Sequence, residues 1–80
     1  MNEEQEAKMK ELLLELPIVD EVIISRYKIF ILVEIMLKGS LISKESLERI
    51  LDIISLYEFI GYSIVYDMRT HRLVVLVNNA

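Results

Sequence analysis

The sequence predicts a two-layer α+β domain with the element order αββαββ, in which two helices cover one face of a four-stranded antiparallel sheet. Three observations lead to this prediction. Apolar residues recur at helical spacing near the N-terminus and again after Ser43. β-branched residues dominate two other regions, 18–37 and 62–78. A chain of 80 residues has room for one core, so we expect residues 1–80 to form a single domain.

The first helix is predicted over residues 2–16, where charged residues surround an apolar stripe with spacings of three and four. The stripe consists of Met9, Leu12, Leu13 and Leu16. Pro17 follows it directly, and proline cannot continue a helix. We therefore expect the first helix to end at residue 16.

The residues after Pro17 predict a β-hairpin and then a second helix. The polar tetrapeptide at 25–28 is the expected turn, between strands at 18–25 and 28–37. Ser43 can cap the second helix, and Gly61 is expected to stop it. The apolar stripe of this helix is Leu47, Ile50, Leu51, Ile54 and Tyr57.

The rest of the chain predicts a second hairpin, with strands at 62–67 and 72–78 separated by residues 68–71. The strands 28–37 and 72–78 are apolar on both faces and therefore belong in the middle of the sheet. The strands 18–25 and 62–67 carry more polar residues and suit its edges. The predicted strand order is 1-2-4-3, antiparallel throughout.

Two helices can cover one face of this sheet, and we expect them to cover its aliphatic face. That face includes Ile29, Ile31, Val33 and Ile35. The other face would then expose an apolar patch around one carboxylate, which we predict to be a partner interface. Its residues are Phe30, Leu32, Glu34, Met36, Val74 and Leu76. The expected partner is a second copy of the chain or another protein. Glu34 then either finds a partner charge in the interface or keeps the rim of the sheet hydrated.

A second candidate site lies near the turn of the second hairpin. Basic side chains from this turn and from the region around the N-terminus of the second helix are expected close together, where they would attract an anion. They are Lys38, Lys44, Arg69, His71 and Arg72. The functional interpretation is a phosphate or nucleic-acid contact. The structural interpretation is a solvated turn that offsets an acidic chain of net charge −4.

An alternative fold would favour nucleic-acid binding. If residues 26–38 were helical, the chain would resemble a winged helix with its second helix at 43–60 and its wing at 62–78. That resemblance implies DNA binding, with Arg69, His71 and Arg72 in the wing. The β-branched residues of the segment 18–35 disfavour it, as do the acidic side chains of the second helix.

The sequence contains no catalytic pattern. It has no Cys, a single His, and two glycines that are too far apart for a phosphate-binding loop. Glu45, Glu48 and Asp52 share one side of the second helix, and we interpret them as a solvated face rather than a cation site. We therefore expect a non-catalytic interaction or regulatory module that needs no cofactor.

We expect a cytoplasmic protein. The acidic N-terminus is unlike a secretory signal, and the absence of Cys gives no indication of an oxidising compartment. The longest nearly apolar run is 29–37, which is about half of the roughly 20 residues that a membrane-spanning helix needs. The aliphatic composition is also typical of heat-adapted proteins.

Overall fold

The structure, a computed structural model, describes residues 2–39, 43–57 and 61–78, with the backbone alone for Tyr62. The described residues form six elements in the predicted order. They are α1 (Glu3–Leu14), β1 (Val19–Arg26), β2 (Phe30–Leu37), α2 (Lys44–Ile54), β3 (Gly61–Asp67) and β4 (Arg72–Asn78). The four strands form an antiparallel sheet in the order β1-β2-β4-β3, which confirms the predicted fold class and strand order.

The helix α1 begins with a capping box. The side chain of Asn2 accepts the backbone N–H of Gln5 at 2.8 Å, and the side chain of Gln5 accepts the backbone N–H of Asn2 at 2.9 Å. The helix ends at Leu14, two residues earlier than predicted. The N–H of Leu16 donates to the carbonyl of Leu13 in a tighter turn, because the ring of Pro17 disfavours helical geometry at the residue before it.

The helix α2 is capped by Ser43 as predicted, since the Ser43 hydroxyl accepts the N–H of Ser46 at 3.1 Å. Its C-terminus differs from the prediction. The helix ends at Ile54, and the hydroxyl of Ser55 donates to the carbonyl of Leu51 at 2.7 Å. The expectation that Gly61 stops this helix is therefore wrong, because Gly61 is the first residue of β3. The predicted helical residues 58–60 lie outside the described residues.

The first hairpin turns later than predicted. The N–H of Tyr27 donates to the carbonyl of Phe30 at 2.9 Å. The rings of Tyr27 and Phe30 stack with their centroids 4.7 Å apart, which stabilises the hairpin at this point. Ile29 therefore lies in the turn and is 71% exposed, so its predicted place on the helix-covered face is wrong.

The core lies between the two helices and one face of the sheet. The helices contribute Met9, Leu13, Ile50 and Ile54. The sheet contributes Val19, Val22, Ile31, Val33, Ile35, Leu37, Leu73, Val75 and Val77. These positions confirm the predicted helix-covered face, apart from Ile29. They also exclude the winged-helix alternative, because residues 30–37 form a central strand rather than a helix.

Two isoleucines test the position of the first turn. Ile31 is fully buried, whereas Ile29 is exposed. Replacing Ile31 with Ala should lower the free energy of unfolding by about 2 to 5 kcal/mol, because the change leaves a cavity in the core. Ile29→Ala should change it by less than about 0.5 kcal/mol. Urea denaturation at one protein concentration measures both values, and similar losses for the two variants would contradict the observed turn.

Candidate interaction surface

We call the sheet face opposite the helices the outward face. The strand registers arrange its side chains in rows that run across the strands. The first row is Glu21, Met36, Arg72 and Asp67, the second is Ile23, Glu34, Val74 and Val65, and the third is Ser25, Leu32, Leu76 and Ser63. Beyond the third row lie Tyr27, Phe30 and Asn78. The six residues predicted as an interface thus lie together on the two central strands.

The exposed apolar surface of the outward face extends beyond those six residues. Each of the six is half-buried. On the edge strands, Ile23 is 39% exposed and Val65 is 63% exposed. These two residues are not among the predicted interface residues, because that prediction rests on the two strands that are apolar on both faces. Strand alternation could have identified them, since the register places them in the same row as Glu34.

Glu34 lies on a central strand in the second row, between Ile23 and Val74. Nη1 of Arg72 donates to Oε2 of Glu34 at 2.6 Å, and the two side chains are 36% and 18% exposed. The carboxylate therefore does not lie at the rim of the sheet. Its charge is already paired within its own chain, so it can be covered further without becoming an unpaired buried charge.

The fold brings together some residues of the second candidate site, which we call the basic group. The N–H of Leu37 donates to the carbonyl of His71 at 2.9 Å, so Lys38 follows directly beside the β3–β4 turn. Arg69 lies exposed in that turn, and Lys44 lies exposed at the first position of α2. Arg72, however, contacts Glu34 at 2.6 Å and Asp67 at 4.0 Å. These two carboxylates reduce the attraction of the group for an anion.

Asp67 organises the β3–β4 turn. The N–H of Arg69 donates to Oδ1 of Asp67 at 3.0 Å. This hydrogen bond lowers the pKa of the Asp67 carboxyl, and hydrogen bonds from Thr70 and the charge of Arg72 act in the same direction. His71 completes the reversal with φ of 52°, in the left-handed region that His adopts more readily than most residues. The basic turn is thus built around a carboxylate.

The described residues bear on three other kinds of site. Among residues 2–39, 43–57 and 61–78, no group of three or more acidic or His side chains could hold a metal ion. A cavity of about 220 Å³ lies between the α1–β1 connection and the start of α2. Typical small-molecule sites measure about 300 to 1,000 Å³. In the described part of the chain, no helix is long and apolar enough to cross a membrane.

Comparison of the chain with protein-family models, with curated proteins and with solved structures found no match. The function proposed below therefore rests on the geometry of the outward face.

A double-mutant cycle tests the pairing of Glu34 with Arg72. Replacing each residue with Ala, singly and together, should give a coupling energy of about 1 kcal/mol, because a charged hydrogen bond is only partly screened at this exposure. The pair Lys8 and Glu11 is the control, with 3.9 Å between the charged atoms and both side chains more than half exposed. Its coupling should lie below about 0.5 kcal/mol. Equal coupling in both pairs, measured by urea denaturation, would contradict the close contact.

The pKa of Asp67 predicts a dependence of stability on pH. Because this pKa is lower in the folded chain than in the unfolded chain, ionised Asp67 stabilises the fold above the unfolded pKa of about 4. The contribution should disappear as the pH falls through the folded pKa. Asp67→Asn should therefore destabilise the protein at pH 7 and lose this pH-dependent effect in strong acid. Unfolding curves of both proteins from pH 7 to 2 measure it, and a constant difference would contradict the shift.

Proposed function

We propose that the protein is a non-catalytic interaction module that forms a homodimer by packing two outward faces together. The observation that carries the proposal is the ion pair of 2.6 Å between Glu34, the one charged residue of the second row, and Arg72 of the first row. A second copy could cover this row without burying an unpaired charge, which would be costly. The half-buried apolar side chains around the pair would lose their remaining contact with water.

The size of the outward face supports the proposal. Four strands spaced by about 4.8 Å, each with seven residues at about 3.4 Å per residue, give a projected area of roughly 450 Å². Specific interfaces at the lower end of the usual range bury about 600 Å² per partner. The solvent-accessible area of a sheet face is larger than its projected area, because the side chains protrude from the sheet. The outward face is therefore large enough for a specific contact.

The distribution of residue types over the face also supports an interface. Its second and third rows are mainly apolar, whereas its first row carries Glu21, Arg72 and Asp67. The opposite end carries the stacked rings of Tyr27 and Phe30. Interfaces commonly combine an apolar and aromatic core with a charged rim. The charged row would then select the orientation of the two copies rather than supply most of the affinity.

Nucleic-acid binding through the β3–β4 turn is less well supported. Arg72, the basic residue nearest the sheet, contacts two carboxylates. The net charge of −4 also opposes general attraction to a phosphate backbone. Arg72 is therefore better explained by its contacts within the chain than by a nucleic-acid partner.

The homodimer is tested by light scattering during size exclusion in dilute solution. The wild type should have twice the mass of one chain, and Phe30→Glu with Met36→Lys should give a folded monomer. These changes place charges on the outward face without changing the net charge of the chain. A milder variant, Ile23→Lys, keeps the ring stack and should weaken the dimer while leaving the fold intact, because Ile23 is already partly exposed.

The matched control is Leu14→Glu with Leu56→Lys. Both leucines are exposed, and both lie outside the outward face, in α1 and just after α2. This variant adds the same two charges and should keep the mass of the wild type. A wild-type monomer would contradict the proposal. Equal dissociation of the control and the outward-face variant would contradict the assignment of the interface.

A further inference from the structure

Two copies that pack their outward faces together are related by a two-fold axis that lies in the plane of the contact. If this axis runs along the strands, the strands of the two copies are parallel, and if it runs across them, they are antiparallel. A diagonal axis crosses the two sheets at about 90°. Each axis brings different residues together, so the charges of the outward face distinguish between the three arrangements.

An axis along the strands places every row opposite the same row of the second copy. The charged first row must then cover itself, because this axis leaves the position of each residue along the strand unchanged. When the two sheets overlap fully, β1 lies over β3 of the second copy, and Glu21 faces Asp67. These covered like charges oppose the parallel arrangement.

A diagonal axis passes close to one corner of the charged row. The corners are Glu21 on β1 and Asp67 on β3, and the residue at the corner on the axis lies beside its own copy. The face is about 24 Å long and about 19 Å wide, so crossed sheets also leave its ends uncovered. Both charge and area therefore disfavour the crossed arrangement.

An axis across the strands allows the charged row to remain in water. The row on the axis meets itself, and the third row suits this place because it carries no charged residue. The second row then faces the residues beyond the third row. They are Tyr27, Phe30, Asn78 and Gly61, which we call the fourth row. The first row extends beyond the second copy at each end of the dimer, so Glu21, Arg72 and Asp67 need not be covered.

The shape of the outward face fits the same register. In the second row, Val65 is 63% exposed and protrudes from β3. The fourth-row residue of β3 is Gly61, and among the described atoms a Cβ built there would contact Nδ2 of Asn78 alone, at 4.0 Å. The face therefore has a recess at Gly61. In the antiparallel arrangement, Val65 of each copy lies over this recess of the other copy.

We propose that the two copies pack with antiparallel strands, about a two-fold axis that crosses the strands at the third row. This arrangement rests on the homodimer proposed above and specifies its orientation and register. Arg72 then joins the covered part of the face to the hydrated part. Its Nη1 contacts Glu34 in the covered second row at 2.6 Å, whereas its Nη2 lies 4.0 Å from Asp67 in the hydrated first row. The ion pair keeps contact with water at Arg72, which makes covering Glu34 less unfavourable.

Distances between spin labels measure the orientation of the two copies. The chain has no Cys, so Asp20→Cys and Met68→Cys each introduce one labelled site per chain. Both positions are exposed and lie at the end of the sheet that carries the first row, Asp20 on β1 and Met68 just after β3. With about 6.8 Å between rows and about 10 Å between packed sheets, the two labels of either dimer should be about 35 Å apart.

The other arrangements predict different distances. In a parallel dimer both labels lie at the same end, so each variant would give about 15 to 20 Å. A crossed dimer would give one long and one short distance. Either result would overturn the antiparallel arrangement while leaving the homodimer intact. A wild-type monomer by light scattering, with no dipolar signal between labelled chains, would instead overturn the homodimer and the arrangement with it.

Charged variants of Leu76 test the position of the axis. On the third row, Leu76 lies opposite Leu76 of the second copy, so Leu76→Lys and Leu76→Glu should each be monomeric alone. An equimolar mixture should have twice the mass of one chain, because opposite charges then meet. The same two changes at Val74, which faces the fourth row of the second copy, are the control, and their mixture should stay monomeric. Equal masses for the two mixtures, with circular dichroism showing intact folds, would overturn the axis at the third row.

Discussion

The structure depends on a mismatch between the sheet and the helices. The central strands β2 and β4 are apolar on both faces, and the two helices cover one of those faces. Burial of Ile31, Val33 and Ile35 under the helices stabilises the fold, and alternation along the strand necessarily places Phe30, Leu32 and Met36 on the other side. The surface available for association is therefore a direct consequence of how the core is built.

The Glu34–Arg72 pair makes that surface compatible with both water and a partner. Without Arg72, the carboxylate of Glu34 would be an isolated charge on a central strand, and covering it would be unfavourable. With Arg72, the face keeps a polar centre that favours hydration of the free chain, and covering this pair is less unfavourable than covering an unpaired charge. The same contact draws Arg72 away from the basic turn, where Asp67 already accepts the N–H of Arg69. One cross-strand ion pair thus supports protein association and weakens the argument for an anion site.

Much of the fold could be predicted because local patterns and sheet position agree. The order 1-2-4-3 followed from which strands are apolar on both faces, and the turn at 68–71 from the polar residues between two apolar runs. Two local features were less informative. The first turn lacks Gly, Asn and Pro, so the turn predicted from the sequence is too early and Ile29 is wrongly assigned to the helix-covered face. Gly61 suggested a helix end, although its φ is not positive and it begins a strand.

The residue contacts of the candidate site needed more than pattern. That Glu34 would meet Arg72 depends on the register of β2 with β4, which places Arg72 opposite Met36, one position along the same face. A turn one residue longer or shorter would change such pairings without changing composition. For the same reason, Ile23 and Val65 became part of the outward face only once their strands were in register with Glu34 and Val74.

The distribution of acidic residues explains why association should involve the sheet rather than the helices. The two helices carry most of the exposed carboxylates: Glu3, Glu4, Glu11, Glu45, Glu48 and Asp52. Two copies that approached through their helices would bring these charges together, and like-charge contacts oppose such arrangements. The second and third rows of the outward face carry one carboxylate, which is paired, and the middle of β3 carries none. The distribution of negative charge therefore favours the sheet over the helices as the surface of the proposed homodimer.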